Sequence, residues 1–82
     1  AYHNRGVAYY GKGRFEEAIS DFSKAVAINP SYGKAYYKRG LIYLLKKEYQ
    51  KAWNDYGKAK NLGCQIEPEI LRALQEALGL LI

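Results

Sequence analysis

The sequence predicts an all-α fold of two stacked helical hairpins closed by a fifth helix, and three observations carry that expectation. The chain repeats itself at an offset of 34 residues, as Tyr2 against Tyr36 shows. Its apolar residues recur at spacings of three and four, the period of a helical face. Glycine or proline punctuates most of the junctions between helical runs.

The offset pairs Ala1 with Ala35, Arg5 with Arg39, Gly6 with Gly40, Tyr9 with Tyr43 and Lys12 with Lys46. Further along it pairs Ala18 with Ala52, Asp21 with Asp55, Lys24 with Lys58 and Ala25 with Ala59. Phe15/Tyr49, Phe22/Tyr56 and Ile28/Leu62 are conservative apolar pairs. Within the first unit Tyr2, Gly6 and Tyr9, then Phe15, Ala18, Ile19, Phe22, Ala25 and Val26, mark two helices. Gly11-Lys12-Gly13 is the turn between them, and Lys46-Lys47-Glu48 takes the same place in the second unit. Asn29-Pro30 closes the first unit, because the residue before proline avoids the helical region, and Ser31 is placed to cap the next helix. Gly63 stops the second unit. Glu67-Pro68-Glu69 starts a fifth helix, expected from Pro68 to Leu78, with Ile70, Ala73, Leu74 and Ala77 facing the second unit and Glu69, Arg72, Gln75 and Glu76 facing water. Glycine within a helix costs about 1 kcal/mol relative to alanine, so Gly6 and Gly40 predict close helix approach, with Ala18, Ala25, Ala52 and Ala59 as the opposing residues.

The chain is 82 residues long with 49% hydrophobic and 26% charged residues, a composition that folds and that fits one domain. We divide it into a first repeat (1–32), a second repeat (33–64) and a capping helix with its tail (65–82). The apolar runs Leu41–Leu45 and Leu80–Ile82 are far short of the roughly 20 residues that cross a bilayer. Cys64 is the only cysteine and His3 the only histidine, which excludes an internal disulfide and a Cys/His zinc site, and the cysteine usage leans to a cytoplasmic setting. No charged-then-apolar leader precedes the first helical pattern, and the start at Ala1 reads as an excised or processed chain.

These residues resemble the tetratricopeptide repeat family. Tyr2, Gly6, Tyr9, Ala18, Phe22, Ala25 and Pro30 reproduce its signature once, and Tyr36, Gly40, Tyr43, Ala52, Tyr56 and Ala59 reproduce it again. Arg5 and Arg39 depart from the leucine common before the glycine, and Cys64 replaces a closing proline. The resemblance implies a right-handed solenoid whose capping helix ends the array, with room for a further repeat before Ala1. It also implies that the first helix of each pair lines a concave peptide-binding face. Off the packing stripe, that face would carry His3, Asn4, Val7 and Tyr10, then Lys34, Tyr37, Lys38, Leu41 and Leu45. Among the tyrosines, Tyr10, Tyr32 and Tyr37 are expected to face a ligand, whereas Tyr2, Tyr9, Tyr36, Tyr43, Tyr49 and Tyr56 pack. Trp53 is expected between the helices of its own unit.

Function follows from charge and from what is lacking. Of 13 basic side chains in a chain of net charge +5, most lie in the second repeat. Asn4, Lys34 and Lys38 are similar to the later part of the carboxylate clamp with which some tetratricopeptide domains hold acidic chaperone C-termini. Lys34 and Lys38 are one turn apart and can bond one carboxylate together, although a lysine at Lys38 lacks the fork of the arginine common there. A solvated basic face is the plainer explanation of the same residues. The expected function is a non-enzymatic adaptor for a short, acidic peptide or a partner helix. The alternatives are a terminal piece of a longer scaffold, self-association through Leu80, Leu81 and Ile82, and, last, nucleic-acid binding by lysine and tyrosine. No residue set converges for catalysis, and no cofactor or metal is expected: Glu16-Glu17 suits a helix start, Gly11-Lys12-Gly13 is a turn and Cys64 a small helix-end residue.

Overall fold

The helical spacing folds residues 2–79, the part of the chain that the computed structural model describes, into five helices. They are α1 (Tyr2–Gly11), α2 (Phe15–Ile28), α3 (Gly33–Leu45), α4 (Tyr49–Asn61) and α5 (Pro68–Ala77), with no strand among the described residues. Leu80, Leu81 and Ile82, and with them the self-association expectation, lie outside the described residues, as does Ala1.

Both intra-hairpin turns pass through the left-handed region at the same repeat position, at Gly13 (φ 75°) and at Lys47 (φ 64°). Glycine takes this conformation freely, and lysine takes it at a cost. Asn29 is extended before Pro30 (φ −132°, ψ 91°), as the proline requires. Ser31 does not cap α3. The Asn29 side-chain oxygen accepts the Ser31 backbone N–H at 3.1 Å, which holds Ser31 in the turn, and α3 begins after Tyr32 instead. Gly33 at the start of α3 lies under Cys64, whose Sγ would be 2.8 Å from a Cβ at that position. Cys64 thus fills a small gap at the junction of repeat and cap.

The hairpins pack through two clusters of buried residues. Ala18, Phe22, Ala25, Ala35 and Ile42 form the part where α1, α2 and α3 meet, and Ala52, Tyr56 and Leu74 form the part shared by α3, α4 and α5. The expected alanines are buried, but they are not what the glycines face. A Cβ at Gly6 would stand 2.9 Å from the Phe22 ring, and one at Gly40 would stand 3.2 Å from the Asp55 Cβ. It is the flat ring of the second helix that lies on the backbone of the first.

α5 is one residue shorter than expected and is rotated about its axis. Ile70, Leu71 and Leu74 pack inward with half-buried Leu78, while Ala73 and Ala77 are exposed. The larger apolar side chains win the buried face because they remove more area from water. α1 touches α3, whereas α2 and α4 make no contact. The stack is therefore narrower on the side of the first helices, and the α1/α3 side is the inside of the curve.

Candidate functional site

Each first helix carries an arginine clamped from three sides. In the first repeat Arg5 donates Nε and Nη2 to the Asp21 carboxylate, each at 2.8 Å, and in the second Arg39 donates likewise to Asp55 at 2.7 and 2.8 Å. The guanidinium of Arg5 lies 5.6 and 6.0 Å from the rings of Tyr2 and Tyr9, and that of Arg39 lies 5.7 and 5.9 Å from Tyr36 and Tyr43. Planar bidentate pairing with cation–π contact is the work for which arginine is suited. The bond from Arg5 holds the buried Asp21 carboxyl below its ordinary range, and the bond to Asp55 raises Arg39 above its ordinary value. Both arginines are therefore tied into the fold by their aspartates. Sequence reasoning matched Arg5 with Arg39 and Asp21 with Asp55 across the repeats but did not join arginine to aspartate, although the two recur together at 16-residue separation in both repeats. That shared recurrence was the available signal.

The proposed peptide face divides into two groups. Asn4, Val7, Lys34 and Leu45 are exposed, and Lys38 is half-buried. Among the described residues neither Lys34 nor Lys38 forms an ion pair, in contrast to Arg5, Arg14, Arg39, Lys46 and Lys51. The second group is drawn into packing. His3 stacks between Phe22 and Tyr32, with ring centroids 5.6 and 4.8 Å away, and its Nε2 is buried without a partner. Tyr10 packs beside Phe15 on the first part of the core, and Leu41 joins the second part beneath α5. The three tyrosines expected to face a ligand are thus half-buried, because their rings bury more area against neighbouring helices than they would in water. Tyr2, expected to pack, is 36% exposed, with Lys24 Nζ 5.5 Å from its ring. Trp53 packs in the seam between α4 and α5, in a cleft of about 240 Å³ with Gly57, Lys60, Asn61, Leu71 and Gln75, not inside its own hairpin.

Tyr37 has a partner that the sequence did not announce. Its hydroxyl lies 2.9 and 2.8 Å from the two carboxylate oxygens of Glu67, the residue just before α5. Burial, and then the Glu67 carboxylate, raise the Tyr37 phenol above its ordinary value, so it remains the donor. Its ring stands edge-on to Tyr56 at 5.5 Å. No local pattern could have placed a linker glutamate against α3, since the contact spans 30 residues.

Between the repeats, Lys46 at the end of α3 pairs with Glu16 at the start of α2 and with Glu48. Among the described residues no three His, Cys, Asp or Glu side chains converge to hold a metal ion. No helix of the described residues is long and apolar enough to cross a membrane.

Comparisons with known proteins match this architecture. Two family models, both described as tetratricopeptide repeat, match residues 1–32 and 22–59. A search of curated proteins finds no match. Among solved structures, the chain is similar to the first TPR of Spaghetti (RPAP3) bound to the HSP90 peptide SRMEEVD, with a TM-score of 0.79 and 32% identity. The match covers 96% of this chain and 62% of that one, so this chain spans less than two thirds of the protein it matches.

Proposed function

This chain belongs to the tetratricopeptide repeat family, and on that premise we propose that it is an adaptor holding a short peptide with an acidic, free C-terminus against α1 and α3. One observation supports this reading: Lys34 and Lys38, a turn apart on α3, form no ion pair among the described residues. Asn4 on the neighbouring α1 is exposed and adds an amide donor. Exposed Val7 supplies apolar contact. The Spaghetti (RPAP3) structure, whose peptide ends in two glutamates, a valine and an aspartate, supports the same ligand chemistry.

A carboxylate bonded by both ammonium groups gains charge-assisted bonds of about 1.5–3 kcal/mol each. So short an array offers few other contacts, and the affinity expected is micromolar, about −8 kcal/mol. Calorimetric titration with the peptide SRMEEVD and with its C-terminally amidated form tests the reading. Amidation and Lys38→Glu should each weaken binding about tenfold or more. Equal binding of both peptides to the wild type and to Lys38→Glu would remove the clamp.

A further inference from the structure

The seam between the two hairpins is bridged, whereas the seam between the second hairpin and α5 holds an open cleft. In the first, Ser23 of α2 accepts a bond from Arg39 Nη1 at 3.0 Å. One repeat later the same positions carry Gly57 on α4 and Ala73 on α5, both exposed. A Cβ at Gly57 would meet no neighbouring group within 4 Å, although the other two glycines inside helices, Gly6 and Gly40, each lie under a side chain of the adjacent helix. A helix gives up stability at a glycine, and no group among the described residues uses the space at Gly57. Trp53 and Leu71, both half-buried, line that space and keep apolar area in water that an occupant would cover. Lys60 lines it too and forms no ion pair among the described residues, and the one acid of α4, Asp55, is buried and bound to Arg39. At about 240 Å³ the cleft is below the roughly 300–1,000 Å³ of small-molecule pockets and suits a single large side chain. Leu71 and Gln75 also line a second hollow with Pro68, Glu69 and Arg72, so a chain seated in the cleft has a path onward along α5.

We propose that this cleft is a second interaction site, in which a segment of a partner protein inserts one large apolar side chain over Gly57 against Trp53 and pairs an adjacent carboxylate with Lys60. None of the lining residues belongs to α1 or α3, so the site is independent of the peptide reading above. Charge decides the class of partner. A lone lysine matches a lone carboxylate, whereas a nucleic-acid strand brings a charge with every nucleotide. An apolar anchor packed on an aromatic wall supplies the larger share of the energy in such contacts, and the ion pair at the exposed edge supplies selectivity.

Proton–nitrogen NMR of the labelled chain tests this, with short peptides blocked at both ends so that no terminal charge contributes. The probe acetyl-Gly-Phe-Asp-Gly-amide should move the Trp53 indole and Gly57 amide signals and leave the Lys34 and Lys38 amides in place. Replacing its phenylalanine by alanine should weaken binding about tenfold, and replacing its aspartate by lysine should weaken it about twofold to fivefold. Gly57→Leu fills the cleft from a position where a side chain meets nothing, so it should melt no lower than the wild type and should no longer bind the probe. Lys60→Glu, at an exposed position, should reverse the preference between aspartate and lysine. The proposal is overturned if the probe shifts neither signal, if Gly57→Leu binds it as well as the wild type does, or if single-stranded oligouridine moves the same signals at lower concentration. Signals that move with protein concentration alone would give the cleft to a second copy of the chain and overturn it as well.

Discussion

The arginine–aspartate pair of the first repeat and that of the second have the same residues, the same spacing and nearly the same bond lengths, yet they stand in different surroundings. The Arg5 side chain is 55% exposed and the Arg39 side chain 18%. Arg39 also donates Nη1 to Ser23 of α2 at 3.0 Å, a bond that crosses from one hairpin to the next. α2 lies across α3 and shuts water out, while nothing among the described residues lies across α1 in that way. In a stacked fold, a residue's energetic weight therefore depends on whether its repeat has a neighbour, not only on the motif it belongs to.

The largest expected effect tests that contrast directly. Asp55→Ala leaves the Arg39 guanidinium half-enclosed without its carboxylate and should cost about 3 kcal/mol in urea denaturation. Asp21→Ala should cost clearly less, since water can solvate Arg5. Equal losses would show that neighbour shielding does not matter here. The Asp21 pair also has a pH signature. Its folded-state pKa lies below the ordinary Asp value of 3.8, so its stabilisation is present above about pH 4 and is lost as pH falls through the lowered value. An acid titration of stability should therefore flatten at its low-pH end in Asp21→Asn.

The glycines sharpen the comparison at a smaller scale. Gly6→Ala drives a methyl into the fully buried Phe22 ring, and overpacking should outweigh the gain in helix propensity by about 1 kcal/mol. Gly40→Ala needs a shift of only a few tenths of an ångström from Asp55 and should fall near zero in the same denaturation assay. One further effect has the opposite sign. Tyr56 stands where the first repeat has Phe22, and its hydroxyl is buried without a partner. Tyr56→Phe should raise the melting temperature, a gain of about 1 kcal/mol from relieving an unmet hydrogen bond.

How far the sequence could be read follows the range of the interactions involved. The hairpins and their turns depend on local spacing and on the repeat offset, so Gly13, Asn29-Pro30 and Gly63 were legible from the residues alone. Ser31 was misplaced as a cap because a competing local bond from Asn29 has much the same sequence signature. The rotation of α5 was missed because Ala73 and Leu71 are both compatible with an apolar face until the surface opposite is known. Tyr10, Tyr32 and Tyr37 were read as free because a helical wheel shows which way a ring points and not how far it can lean. Glu67 was out of reach for a related reason, since its place against Tyr37 is set by how α5 docks.

Trp53 gives the protein a built-in optical reporter. It is the only tryptophan in the chain, and it lies where α4 meets Leu71 and Gln75 of α5. Its emission will redden when the last helix lifts away and will be blind to events confined to the first hairpin, so fluorescence and circular dichroism followed together can tell fraying at one end from melting of the whole rod.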